Sequence, residues 1–138
     1  MSKRDILAFE GGALAWEKAL KKAGVTIDDL SFVETHDCFT IAELLEYEAM
    51  GLTEEGDGAR AIKEGWTQKD GKLPVNVSGG LKAKGHPIGA TGVSMHALGY
   101  RQLTGQAGDM QVPDAKLGLV FNMGGSGVAN YASVLERV

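Results

Sequence analysis

Over residues 12–23 the apolar side chains of Ala13, Leu14, Trp16, Leu20 and Ala23 recur at roughly helical spacing with lysines between them, and Gly24 follows as a stop. That pattern predicts an amphipathic helix. "VTIDDL" reads as a connecting turn, and "SFVETHD" alternates apolar and polar positions as a strand over 31–37 does. Thr40 with Glu43 three residues on is a capping-box pattern, and Ile41, Leu44, Leu45 and Met50 extend it as a helix closed by Gly51. Residues 51–73 are polar and glycine-punctuated, which predicts a long loop with one helical turn at 59–64. "LPVNV" predicts a short strand, 79–92 a glycine-rich turn, 93–103 a mostly apolar and buried helix, and 116–123 and 128–136 two further strands. Strands alternating with helices define a layered α/β domain with a largely parallel sheet, whose final pair forms an antiparallel hairpin.

Composition narrows the picture. The length of 138 residues suits a single domain with a real core, and 43% hydrophobic with 23% charged residues excludes a disordered or fibrous chain. Twenty glycines are about twice the usual share, and their clustering in "SGGLKAKGHPIGATG" and "NMGGSG" points to tight turns and close backbone approach. A net charge of -4 argues against a nucleic-acid partner, Lys82 and Lys84 making only a local basic spot. One cysteine excludes an intramolecular disulfide and fits a reducing, cytoplasmic compartment. "MSKRDILAFEGG" has no apolar run long enough for a signal peptide. The uncharged run at 117–135 has the length of a membrane span, but Asn122, the glycines, Ser126 and Asn130 interrupt it, so two strands joined by a turn is the better reading and no membrane span is expected.

Three places carry candidate chemistry. His36 and Cys38 fall at the carboxyl end of a predicted strand, where α/β sheets place ligands, and point the same way if the strand persists that far. A helix start and a histidine nearby lower a thiol's pKa whereas Asp37 raises it, so the net direction is open, and a buried free cysteine explains the residue too. In "GGLKAKGHPIGATG", Gly80 and Gly85 fit the outline of a phosphate loop, but His86 and Pro87 stand where lysine and a hydroxyl residue are required. Pro87 instead suits the entry to a helix from about Gly89, which puts His86 just outside its positive end, a setting that favours a neutral imidazole working as base or donor. A glycine-rich turn with a solvated histidine is the alternative. "NMGGSG" offers unobstructed backbone N–H groups for an oxyanion hole, and an ordinary hairpin turn explains it equally well. His96, within a helix, reads as structural, and the ligand pairs of a metal site are absent, so no metal is expected.

Together, His36-Asp37-Cys38-Phe39, then "NVSGGLKAKGHPIGATG", then "NMGGSG" resemble the C-terminal half of a thiolase, and in particular the sterol-carrier-protein type and related bacterial acetyl-CoA acetyltransferases. The resemblance spans essentially the whole chain. It implies one half of a five-layered fold, with residues 1–138 a single thiolase C-terminal domain built on a mixed five-stranded sheet with helices on its faces. It implies acyl transfer on acyl-CoA thioesters, by thiolytic cleavage of a 3-ketoacyl-CoA or by Claisen condensation, with coenzyme A or acyl-CoA as substrate and no tightly bound cofactor. His86 would activate the nucleophile and help hold the thioester oxygen, His36 would complete that oxyanion site, and Cys38 would move the α-proton. Asn76, Ser78 and Gly79 would join Gly124 and Gly125 in oxyanion and substrate binding. The sequence contains no second cysteine to act as nucleophile. An N-terminal half carrying it is therefore the expected partner, in a complete protein that is a homo-oligomer, and the chain alone is expected to be inactive, whether a fragment or separately encoded. Two other readings stand beside this one: a non-catalytic CoA-binding or assembly subunit, and a thiolase-like steroid side-chain aldolase.

Overall fold

A computed structural model describes residues 7–138, and at its centre lies strand β2 (Leu117–Gly124). It pairs in parallel with the short β1 (Phe32–Glu34), Phe32 opposite Gly118, and antiparallel with β3 (Ala129–Glu136), Leu117 opposite Glu136. Successive side chains of β1 take opposite faces, as the pleat requires. Val33 joins Leu119 and Phe121 in one core cluster, which Trp16 of α1 (Glu10–Ala23) and Tyr47 of α2 (Thr40–Ala49) complete. Trp16 stacks on Phe121 with ring centroids 5.9 Å apart. Phe32 takes the other face with Val112, Ala115 and Leu103 of α5 (Thr91–Leu103). Each large apolar side chain buried this fully contributes roughly 1.5–3 kcal/mol. The sheet is thus covered on both sides.

Two glycines make the second layer fit. A Cβ on Gly118 would run into the Phe32 ring, and one on Gly99 of α5 would press on Leu135 and Val120, so both let chain segments approach closely. The side of α5 turned away from the sheet is wet, with Val93 72% and Tyr100 60% exposed. The expectation of a buried helix holds for only half of it.

Four sequence expectations are corrected. The sheet has three strands among the described residues, not five. "LPVNV" contributes only an isolated bridge from Val75 to Val33, because Pro74 has no N–H to donate and Asn76 turns left-handed at φ 50. The strand expected over 31–37 ends at Glu34. The Thr40 capping box does not form: the N-cap is Phe39, and Glu43 turns instead to the Tyr47 hydroxyl, Asn76 and Lys82. The helical turn expected at 59–64 is α3 (Gly58–Lys63), and the glycine-rich turn contains a short helix, α4 (Gly80–Lys84). No helix among the described residues is long and apolar enough to cross a membrane.

Candidate active site

Residues 35–39 leave the carboxyl end of β1 and run to α2, and buried polar contacts clamp them from beneath. Asn76 accepts the Thr35 N–H at 2.8 Å and donates to Glu43 at 3.2 Å. The Thr35 hydroxyl donates to the carboxyl of Glu46, which is wholly buried. Asp37, 2% exposed, accepts the backbone N–H of Leu81 at 2.7 Å and is paired with Lys82 at 3.3 Å. A Cβ on Gly80 would fill the place of that carboxylate, which ties the glycine to the clamp. With Asp37 pointing into α4, its neighbours His36 and Cys38 both face the opposite way, into a cleft of 470 Å³. The alternation expected of a strand therefore survives past the strand's end.

The rest of that cleft comes from distant parts of the chain. His86 arrives from the turn before α5, Ala42 and Leu45 from α2, and Gly124 and Gly125 from the β2–β3 turn. Gly125, Ser126 and Gly127 are all left-handed, at φ 61, 55 and 78, which a chain with glycine at two of three positions accepts cheaply. The His36 and His86 rings meet edge to face with centroids 4.9 Å apart. His36 Nδ1 lies 2.5 Å from Asn122 Oδ1, and His86 Nδ1 lies 2.7 Å from the Thr91 hydroxyl. A second lobe of 760 Å³ opens past the same two histidines toward Asn122, His96 and Tyr131.

Burial sets the electrostatics. It lowers the pKa of His36, against a hydrogen bond to Asn122 that raises it, and the charge of His86 lowers it further. Burial also pushes the Cys38 thiol up, with Glu46 and Asp37 adding in the same direction when ionised. Burial raises the Glu46 carboxyl well above the ordinary glutamate range, which favours its uncharged form and leaves desolvation the leading cause at Cys38, with Asp37 adding to it. The direction left open by the sequence is thus upward. Cys38 rests as a thiol, ready to give a proton.

Of the residues singled out from sequence, His36, Cys38, His86, Gly124 and Gly125 line one cleft. Asn76, Ser78 and Gly79 do not line it. Asn76 braces Thr35, the Ser78 hydroxyl donates to the buried Glu34 at 2.8 Å, and Gly79 donates its N–H to the Asn76 carbonyl. Asn122 and Thr91, the hydrogen-bond partners of the two histidines, are neighbours that sequence reasoning passed over. The available signals were Asn122 inside "NMGGSG" and Thr91 at the first position of a helix five residues after His86. No group of three or more His, Cys, Asp or Glu side chains among the described residues is placed to hold a metal ion.

A mixed sheet layered between helices, with His36 and Cys38 past the carboxyl end of β1 and His86 beside them from the turn before α5, is the arrangement of a thiolase-like α/β domain. Its likeness to the Ltp2-ChsH2(DUF35) aldolase, a TM-score of 0.79 over 91% of this chain and 31% of that one at 24% identity, concerns the fold alone. The chain belongs to the thiolase C-terminal domain-like family, whose model matches residues 1–137. It is 46% identical over 135 residues to an acetyl-CoA acetyltransferase of Methanothermobacter thermautotrophicus and 45% identical over 119 residues to human sterol carrier protein 2. These matches cover 98% and 86% of this chain but 35% and 22% of those proteins, so the chain spans about a third or less of the length of its relatives.

Proposed function

We propose that residues 1–138 form the C-terminal half of a thiolase acting on acyl-CoA thioesters, its site completed by an N-terminal half that supplies the nucleophilic cysteine. The observation that carries this reading is the His36–His86 pair opening into the same cleft as Cys38 and the Gly124 and Gly125 backbone. In the cleavage direction His86 takes the proton of the nucleophilic thiol, and the thiolate adds to the keto carbon of a 3-ketoacyl-CoA. The developing oxyanion is held by whichever ring of the histidine pair carries that proton, since that ring has become an N–H donor. The carbon–carbon bond then breaks and the released enolate takes its proton from Cys38. A resting thiol suits that step, and the thiolate it leaves can deprotonate the incoming coenzyme A. Gly124 and Gly125 offer backbone to the second oxyanion. Condensation is the same sequence reversed.

The rim supports a missing partner. Phe39, Ile41, Ile88 and Val93 are 70%, 58%, 94% and 72% exposed around the two lobes, apolar side chains that a partner would cover. We assign this rim to the N-terminal half, within a homo-oligomeric complete protein. The chain alone is inactive on this reading, because Cys38 is its only cysteine.

The test is reconstitution. The chain is mixed with its matching N-terminal half and assayed for acetoacetyl-CoA cleavage, with thiolysis expected from the mixture and from neither part. A correctly folded complex that binds coenzyme A without thiolysis would replace this reading with that of a non-catalytic subunit. Aldol cleavage of a steroid side-chain thioester in its place would favour the aldolase.

A further inference from the structure

The ring nitrogens of the two cleft histidines are constrained by partners that nothing in the family resemblance assigns. Asn122 sits on β2 with its amide wedged against the first turn of α5, where a Cβ on Gly92 would collide with it. Its oxygen faces His36 Nδ1 at 2.5 Å. An amide oxygen only accepts, so Nδ1 carries the proton and the lone pair lies on Nε2. Thr91 opens α5, and its hydroxyl donates to the Pro87 carbonyl at 3.1 Å. A hydroxyl has one proton. With that proton committed, Oγ1 accepts from His86 Nδ1 at 2.7 Å, and the His86 lone pair also lies on Nε2. Neither Nε2 has a hydrogen-bond partner among the described residues.

We propose that Asn122 and Thr91 are positioning residues that hold His36 and His86 in the same Nδ1–H tautomer, so that two Nε2 acceptors flank the cleft and take up one proton between them. The edge-to-face contact at 4.9 Å makes a second proton unfavourable, since two imidazolium rings that close repel. Whichever ring holds the proton becomes the N–H donor, and the other remains an acceptor. The proton comes from the nucleophilic thiol as its thiolate forms, and returns when that thiol is regenerated. This use rests on the thiolase reading; the tautomers themselves do not. Burial and the charge of His86 acting on His36 favour the same single-proton state. The other titratable groups near the pair are Asp37 and Cys38 on the His36 segment, Glu46 on α2, His96 on α5 and Tyr131 on β3. Asp37 is paired with Lys82 of α4, and burial favours the uncharged form of Glu46.

The experiment is long-range 1H–15N correlation on the chain labelled at histidine, recorded without substrate across a pH series. His96 serves as the internal standard, because its Nδ1 faces the Gly92 carbonyl at 2.7 Å and must carry the proton. His36 and His86 are expected to match it, with Nδ1 protonated and Nε2 bare, and the pair to take up its two protons in two separate macroscopic steps. An Nε2–H in either ring, or uptake of both protons in a single step, would overturn the proposal. Asn122→Ala should spread His36 over both tautomers while His86 is unchanged, and Thr91→Val should do the converse. A single Nδ1–H tautomer retained in either variant would remove that residue's role. If Asn122→Ala fails to fold, Asn122→Asp keeps the size and should raise the midpoint of His36; an unmoved midpoint counts against the proposal. Loss of thiolysis in the reconstituted enzyme would leave these spectra as they are, so the two failures are distinguishable.

Discussion

His36, from the segment after β1, and His86, from the turn before α5, meet edge to face, ring centroids 4.9 Å apart, in a cleft that also holds Cys38. His86 is exposed and its side chain bonds only to Thr91. Replacing His86 with Ala should therefore leave thermal stability almost unchanged while lowering kcat/KM of the reconstituted enzyme by about 10²–10⁴-fold, the usual worth of a positioned base. Paired melting and thiolysis assays separate the two effects. A large fall in Tm would mean that the pair is structural first.

Cys38 is half-buried, and burial raises its pKa. Alkylation by iodoacetamide follows the thiolate, so the pH midpoint of its rate should lie above that of a free cysteine peptide measured alongside. Cys38→Ala should abolish thiolysis in the reconstituted enzyme at a stability cost below about 1 kcal/mol. Activity surviving that change would transfer the acid/base role elsewhere.

Glu46 is wholly buried, and burial holds its carboxyl well above the ordinary glutamate range. A group raised in the folded state contributes stability below its unfolded pKa and loses that contribution as pH climbs through the folded value. Glu46→Gln keeps an acceptor for the Thr35 hydroxyl and has no charge to bury. The Tm of the variant relative to the parent should thus climb as pH is raised from about 4 to about 8. A difference that stays flat across that range would show the carboxyl ionising as readily folded as unfolded.

Gly118 lies opposite Phe32 in the parallel ladder, and an added Cβ would enter the Phe32 ring. Gly118→Ala should cost about 1–3 kcal/mol of overpacking, seen as a drop of several degrees in Tm. Gly24→Ala tests a different term. Its Cβ would meet nothing within 4 Å, but φ of 72 opposes any side chain, so a smaller loss of about 1 kcal/mol is expected from the helix end alone.

Local pattern was enough for α1, α2 and the β2–β3 hairpin, because each is announced by its own periodicity and by a glycine where the chain must turn left-handed. It failed where a partner outranked it. Thr40 and Glu43 spell a capping box, yet Glu43 gains more from Tyr47, Asn76 and Lys82 than from a helix end. "LPVNV" has strand composition, yet Pro74 and the left-handed Asn76 reduce it to one bridge.

By itself the sequence determined the layered α/β class, the glycine-framed turns and the presence of His36, Cys38 and His86 at element ends, since these depend on residue type and spacing of a few positions. Only the tertiary structure decided that Asp37 turns inward to Leu81 and Lys82 while its two neighbours face the cleft, and that Asn122 and Thr91 hold the imidazoles. Apart from the local His86–Thr91 bond, those contacts join the segment after β1 to α4 and β2 across long stretches of chain. Their energies depend on burial and on ångström-scale distances, which appear only once the sheet and its helices have packed.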